Sequence, residues 1–248
     1  MSITSELIRS VTADLYERSL KKIPEDTKAA LHRAEVTDSS DTARKTLTIM
    51  LKSADESEKQ DHLICSDVGI PVYSVKIGTK VRFEGAVRQA MIDGLADLAA
   101  NIQPPILRMV TNPLTHQRGY AGKDMPIMTF DIMDEADYLE IICAPKAMGS
   151  GRWEALETFV YPTLEDIEKY ILEVVMKAGS QPCPPIVVGV GIGGTFDYAA
   201  RMAKQQILRP FGKTNPEPIL ASMEERLLKA INSMGFGPMG TGGDTTAM

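Results

Sequence analysis

A chain of 248 residues, 44% hydrophobic and 24% charged, is long enough to bury a core of its own and too ordinary in composition to be disordered. A net charge of -6, with no run of Lys and Arg, excludes a general basic field, so no nucleic-acid partner is expected. No apolar run approaches the roughly 20 residues that span a bilayer, and Met1–Glu6 lacks the basic and apolar regions of a secretory leader. No membrane partner and a cytoplasmic location follow as expectations.

Residues 3–60 read as helices. Leu7, Ile8, Val11, Leu15 and Tyr16 recur at helical spacing, Pro24 suits the first turn of a second helix, and Ser39 or Ser40 suits the cap of a third. The pattern changes at His62–Gly69, a turn that carries Cys65, Ser66 and Asp67 and leads into a strand over Val72–Ile77. A further amphipathic helix covers 84–102. After Pro104 and Pro105 comes an irregular polar stretch, residues 112–123, with His116 and Arg118, the kind of loop on which binding groups sit.

Two strands are predicted over 127–133 and 138–143, with the acidic turn 134–137 pointing to a hairpin. The second delivers Cys143 into Ala144–Arg152, a small-residue loop with the cations Lys146 and Arg152 that leads to a helix near Glu154. Its composition, including Gly149 and Ser150, is that of an anion site at a helix N-terminus, and equally that of a plain connector. Thr163 caps a helix with Ile167, Ile171, Val174 and Val175. Residues 181–194 then join Cys183, held between prolines, to the β-branched run Ile186–Val190 and to closely spaced glycines, with a helix starting at Thr195. A last helix over 217–234 precedes a glycine-rich tail. The fold class is α/β: a helical N-terminal lobe, 1–60, followed by a mixed-sheet α/β lobe, 61–248.

Two chemistries suit the 181–194 stretch. Gly189, Gly191 and Gly194 fit G-x-G-x-x-G after a strand, the loop of a dinucleotide-binding protein. That fingerprint needs an acid ending a second strand roughly 20 residues on, and Leu208–Gly212 carries no strand signal. Alternatively Cys183 is a soft-metal ligand and the glycines allow close packing around it. The cysteines number three, Cys65, Cys143 and Cys183, each at a junction of strand and Gly- or Pro-bearing loop. Three buried thiols are one reading; three sulfur ligands for an iron–sulfur cluster, or for zinc completed by His or water, are the other.

The segments Cys65–Gly69, Asn112–Thr115, Cys143–Lys146 through Gly149–Ser150, and Cys183–Pro185 through Gly193–Thr195 resemble, in order, those of the iron–sulfur hydro-lyases of the class I fumarase and L-tartrate dehydratase alpha-subunit family. The resemblance spans about residues 60–246. It implies a [4Fe-4S] cluster on Cys65, Cys143 and Cys183, one iron of which acts as Lewis acid on a hydroxy-dicarboxylate substrate, malate/fumarate or tartrate/oxaloacetate. It also implies that 61–248 is the cluster-binding part of one catalytic domain. Asp67 and Lys146 are the expected catalytic residues, with Asp67 relaying for the base. Ser66, His116, Arg118, Gly149 and Ser150 are expected at the substrate.

The resemblance further implies a beta subunit that brings the base and further arginines, within a homo- or hetero-oligomer. Members continue beyond the glycine-rich tail. Ser66 stands where the family has Gln, Ala147 and Met148 replace glycines, and His116 stands where arginine is common, so the substrate contacts are expected to differ. A non-catalytic cluster-binding paralogue is the remaining alternative.

Overall fold

A computed structural model describes residues 2–108 and 110–248. The chain forms two compact units, Met1–Ile23 with Ala54–Met148, and Pro24–Ser53 with Gly149–Met248. Its elements are those of an α/β protein, with helices first and the sheet in the middle of the sequence.

The first unit is built on a three-stranded sheet in the order β6-β2-β7, from β2 (Val72–Gly78), β6 (Ile127–Met133) and β7 (Leu139–Cys143). Strand β2 pairs with β6 in parallel over seven residues and with β7 antiparallel over five. The predicted β6–β7 hairpin is therefore corrected: β2 lies between the two strands. The acidic turn reverses the chain as expected, but Ala136 and Tyr138 pass their carbonyls to Lys80 and Gly78 at 2.9 and 3.0 Å rather than starting a ladder with β6. A short parallel pair, β1 (Ile3–Thr4) with β3 (Phe83–Glu84), stands apart from this sheet.

Helices α1 (Ser5–Lys21) and α4 (Val87–Asn101) close the core of this unit. Thr4 caps α1, its hydroxyl accepting the Leu7 N–H at 3.2 Å. The buried face of α1 is Ile8, Thr12, Tyr16 and Leu20, at four-residue spacing, while Leu7 is turned to solvent. Against Ile8, Tyr16 and Leu20 pack Met91, Leu95 and Leu98 of α4 and Tyr73 and Val75 of β2. Gly94 permits the close approach of α4, because a Cβ there would lie 2.4 Å from the Arg9 carbonyl oxygen.

In the second unit α2 (Glu25–Thr37) starts directly after Pro24, and α3 (Asp41–Gln60) is entered through Ser40, whose hydroxyl accepts the Ala43 N–H at 3.3 Å. The chain leaves this unit within α3 and returns at α5 (Met148–Gly151). No helix forms at Glu154: residues 154–162 are irregular, which corrects that expectation, and the next helix waits for the Thr163–Asp166 capping box of α6 (Leu164–Ala178). Helix α6 packs on α8 (Pro218–Asn232) through Ile171, Met223 and Leu227.

Residues 187–192 run extended but join no strand ladder; beside them only Ile186 is bridged, in parallel, to Ala247. Ile186 and Val190 turn toward the α6–α8 clusters. Gly189 and Gly191 turn toward α7 (Phe196–Gln206), where added Cβ atoms would stand 2.2 Å from the Ala203 carbonyl oxygen and 2.0 Å from that of Ala199. These two glycines thus seat a helix backbone against an extended backbone, the packing use of glycine rather than an open phosphate cradle.

Candidate functional site

The first unit brings two of the three cysteine loops together. Cys65 lies in the exposed turn ahead of β2, where its sulfur accepts the Asp67 N–H at 3.4 Å, and Asp67 Oδ1 in turn accepts the Gly69 N–H at 3.3 Å. Cys143 ends β7. Because β2 and β7 are antiparallel, the entry of one and the exit of the other meet at the same end of the sheet. The ladder runs on past both strands: Ala144 N donates to Val72 O at 2.9 Å, and Ile70 and Lys146 exchange two backbone hydrogen bonds of 2.8 Å. Gly69, at φ +69°, lets the turn lie flat against residues 146 and 147.

Asp67 and Lys146, the two expected catalytic residues, therefore sit on loops stitched to each other, with Ser66 exposed between Cys65 and Asp67. His116 and Arg118 lie exposed on the hairpin of β4 (Val110–Thr111) and β5 (Arg118–Gly119). Asn112 shapes its turn, its side-chain oxygen accepting the N–H groups of Leu114 and Thr115 at 2.9 and 3.2 Å, and His116 adopts φ +57°. The base of this hairpin shares a narrow crevice with the cysteine turn, lined by Val68, Gly69, Val110 and Tyr120.

Burial gives the Cys143 end its electrostatics. Desolvation pushes the Cys143 thiol up to about 12, against the hydroxyls of Tyr73 and Ser19, which favour the thiolate. Tyr16 and Tyr73 are likewise held well above the usual phenol value by burial, then by the nearness of the Cys143 sulfur. Tyr16 closes the floor of the cysteine turn, its hydroxyl 3.3 Å from the Gly69 carbonyl oxygen. Ser19 and Tyr73 carry no sequence signal of this role. Tyr73 occupies an inward strand position that reads as core, and Ser19 a helix position that reads as surface.

Cys183, Gly149 and Ser150 belong to the second unit. Cys183 is exposed at φ +59°, with its N–H on the Ser180 carbonyl at 3.2 Å and the following residue, Pro184, buried. Gly149 and Ser150 form the single turn of α5, and Arg152 of the same loop stacks on Trp153 at 5.3 Å. Among the described residues no three His, Cys, Asp or Glu side chains of the structure converge as a ready metal site. Three cysteine sulfurs, one of them already receiving an N–H, are nonetheless soft donors of the kind that suits iron and sulfide. The thiol that burial keeps protonated is one whose proton a bound cation would displace.

The fumarate hydratase (Fumerase) family matches residues 9–248. The chain belongs to that family. A putative L(+)-tartrate dehydratase subunit alpha of Methanocaldococcus jannaschii is 34% identical over 97% of this chain and 86% of its own length. The L(+)-tartrate dehydratase subunit alpha of Escherichia coli O157:H7 is 25% identical over 98% of this chain and 80% of its own. A putative class I fumarate hydratase of Geobacillus stearothermophilus is 26% identical over 92% of this chain but only 46% of its own length. The chain is accordingly a hydro-lyase by family. No helix among its described residues is long and apolar enough to cross a membrane.

Proposed function

We propose that this chain is the cluster-bearing alpha subunit of a hydro-lyase that reversibly dehydrates a small hydroxy-dicarboxylate, malate to fumarate or tartrate to oxaloacetate. Cys65, Cys143 and Cys183 hold a [4Fe-4S] cluster. The observation that carries the reading is the backbone bridge between Ile70 and Lys146, which ties both cysteine loops of the first unit, together with Asp67 and Lys146, to one end of the sheet. When bound, the cluster supplies a Lewis-acidic iron with no protein ligand of its own, at which a hydroxyl is made a better leaving group without net electron transfer.

The chain's own residues supply the rest. The Lys146 ammonium and the Arg118 guanidinium are cations for the two carboxylates, and a dicarboxylate meeting a chain of net charge -6 depends on such local cations. Ser66, His116 and the backbone N–H groups of Gly149 and Ser150 orient the substrate and stabilise the charge that develops when its carbon is deprotonated. Asp67, fixed by its bond to the Gly69 N–H, relays the proton. A beta subunit completes the site, in keeping with the alpha-subunit names of the relatives. The active species is then a hetero-oligomer working in the cytoplasm.

The test is anaerobic reconstitution followed by iron and sulfide analysis, repeated on Cys65→Ser, Cys143→Ser and Cys183→Ser. About four irons and four sulfides per chain, bleached by air and lost in each variant, is the expected result. A chain that takes up no iron would leave the cysteines structural and end the cluster reading.

A further inference from the structure

Strand β6 lies at an edge of the three-stranded sheet, with β2 on one side of it. The Ile127 N–H is on the Pro71 carbonyl at 3.1 Å and the Met133 carbonyl takes the Thr79 N–H at 3.0 Å, so the odd-numbered residues of β6 turn their backbone groups to β2. Met128, Phe130 and Ile132 turn theirs outward, and among the described residues no other strand or loop answers them. Nothing along this edge wards off a further strand. From Ile127 to Met133 there is no Pro, Gly or Lys and one charge, Asp131, while Ile132 is 67% exposed and Ile127 41%. The opposite edge of the sheet, on β7, ends in Cys143 and runs into the Lys146 loop, which belongs to the site described above.

The sequence of β6 is close to a palindrome of residue types, Ile-Met-Thr-Phe-Asp-Ile-Met. Paired antiparallel with its own copy about Phe130, it sets Ile127 against Met133, Met128 against Ile132 and Phe130 against itself. Every apolar side chain then meets an apolar one on the same face. Asp131 meets the Thr129 hydroxyl, which can donate to its carboxylate. Other registers are worse. A centre at Asp131 opposes two carboxylates, a centre at Thr129 sets Asp131 against Ile127, and a slip of one residue sets outward backbone groups against ones already turned to β2. Arg88 of α4 stacks on the Phe130 ring at 5.1 Å, on the helix-covered face and away from the edge.

We propose that β6 is a self-association edge: two copies of this chain pair β6 with β6 antiparallel about a two-fold axis at Phe130, joining their sheets into one. Met128, Phe130 and Ile132 supply the ladder, each exchanging both backbone bonds with the residue opposite, and the interface is isologous, so it closes at two copies. The cysteine end of each sheet is the end at which β2 and β6 begin. In the antiparallel pair these ends point in opposite directions, and neither is covered by the β6 contact. The association is independent of whether the cysteines hold a cluster.

The full chain, kept reduced, is compared as wild type, Ile132→Lys, Thr129→Lys and Thr129→Asp. Sedimentation over a range of concentrations gives the mass and the dissociation constant, hydrogen exchange reads the amides of residues 128, 130 and 132, and circular dichroism checks folding. The wild type is expected to be a dimer whose three edge amides lose their protection on dilution. Ile132→Lys, a change at an exposed position, should halve the mass with the fold kept. Thr129→Asp opposes Asp131 twice across the axis and should weaken the dimer roughly tenfold, while Thr129→Lys should tighten it by a similar factor. A dimer that Ile132→Lys leaves intact, or whose edge amides exchange as freely as in the monomer, is joined elsewhere and overturns the proposal. A wild-type chain that is monomeric at every concentration also overturns it, and leaves the edge to a strand of another protein. Should Ile132→Lys lose its fold, the opposite responses of the two Thr129 variants decide: equal affinities in both would rule out the register centred on Phe130.

Discussion

Gly69 faces the Lys146 carbonyl so closely that a Cβ on Gly69 would stand 2.6 Å from the carbonyl carbon, and its φ of +69° is one that a side chain resists. The same residue therefore governs both the stability of the first unit and the seating of its two cysteine loops.

Gly69→Ala is expected to lose about 1–2 kcal/mol to the left-handed backbone alone and more to the backbone shift that separates the loops. Its iron uptake should fall in parallel. Gly193→Ala is the control: it too has positive φ, +85°, but a Cβ there meets nothing within 4 Å, so only the backbone part should be lost. Urea unfolding of both variants, with anaerobic iron analysis, checks the difference. Equal losses would mean that the approach to Lys146 is slack.

The metal-free chain should distinguish its cysteines by alkylation. Burial holds the Cys143 thiol near 12, so roughly one part in ten thousand is thiolate at pH 8, while Cys65 and Cys183 are exposed. Iodoacetamide at pH 8, followed by peptide mass spectrometry, is expected to modify Cys65 and Cys183 first. The Cys143 rate should still climb about tenfold per pH unit from 8 to 10. A Cys143 that reacts as fast as the other two would show that the β7 end is open to water.

Much of this architecture was legible because its signals are local. Thr163 and Ser40 mark helix starts by capping chemistry, and the structure uses both of them so, while Pro24 stands one position ahead of the first turn of α2 rather than within it. The pairing of strands is not local. Residues 134–137 have the composition of a hairpin turn, yet β2, more than fifty residues earlier, takes the place between β6 and β7. For the same reason the sequence names Cys65 and Cys143 as candidates but not their neighbourhood, which depends on the register Tyr73↔Cys143 and the bridge Ile70↔Lys146.

Asp38 organises the glycine-rich tail of the second unit. Its carboxylate, only 2% exposed, accepts the N–H groups of Asp244 and Thr245 at 3.0 and 2.9 Å and the Thr245 hydroxyl at 2.7 Å, and also caps Ser40 at 3.0 Å. Asp38→Ala is expected to cost about 3 kcal/mol, since several buried donors lose a charged acceptor at once, and to expose residues 235–245 to protease. Asp38→Asn keeps one carbonyl acceptor and should lose less. Chemical denaturation and limited proteolysis are the measurements; an Ala variant within about 0.5 kcal/mol of wild type, the range of an ordinary surface change, would show that the tail is held by other contacts.

The extended run 187–192 gives the last expectation. Ile186 and Val190 are packed on the α6–α8 side and Gly189 and Gly191 on α7, yet no backbone hydrogen bond involves residues 187–192 among the described residues. Side-chain packing without ladder bonds leaves the six amides open to exchange catalysis. Hydrogen exchange read by mass spectrometry should find them labelled at the earliest times. Ile186, whose N–H is on the Thr246 carbonyl at 2.9 Å, and the middle of α6 around Ile171 and Val175 should be slower by orders of magnitude. Slow exchange along 187–192 in the isolated chain would require a backbone partner beyond the bridge from Ile186 to Ala247, and would identify this run as a paired strand of a larger sheet.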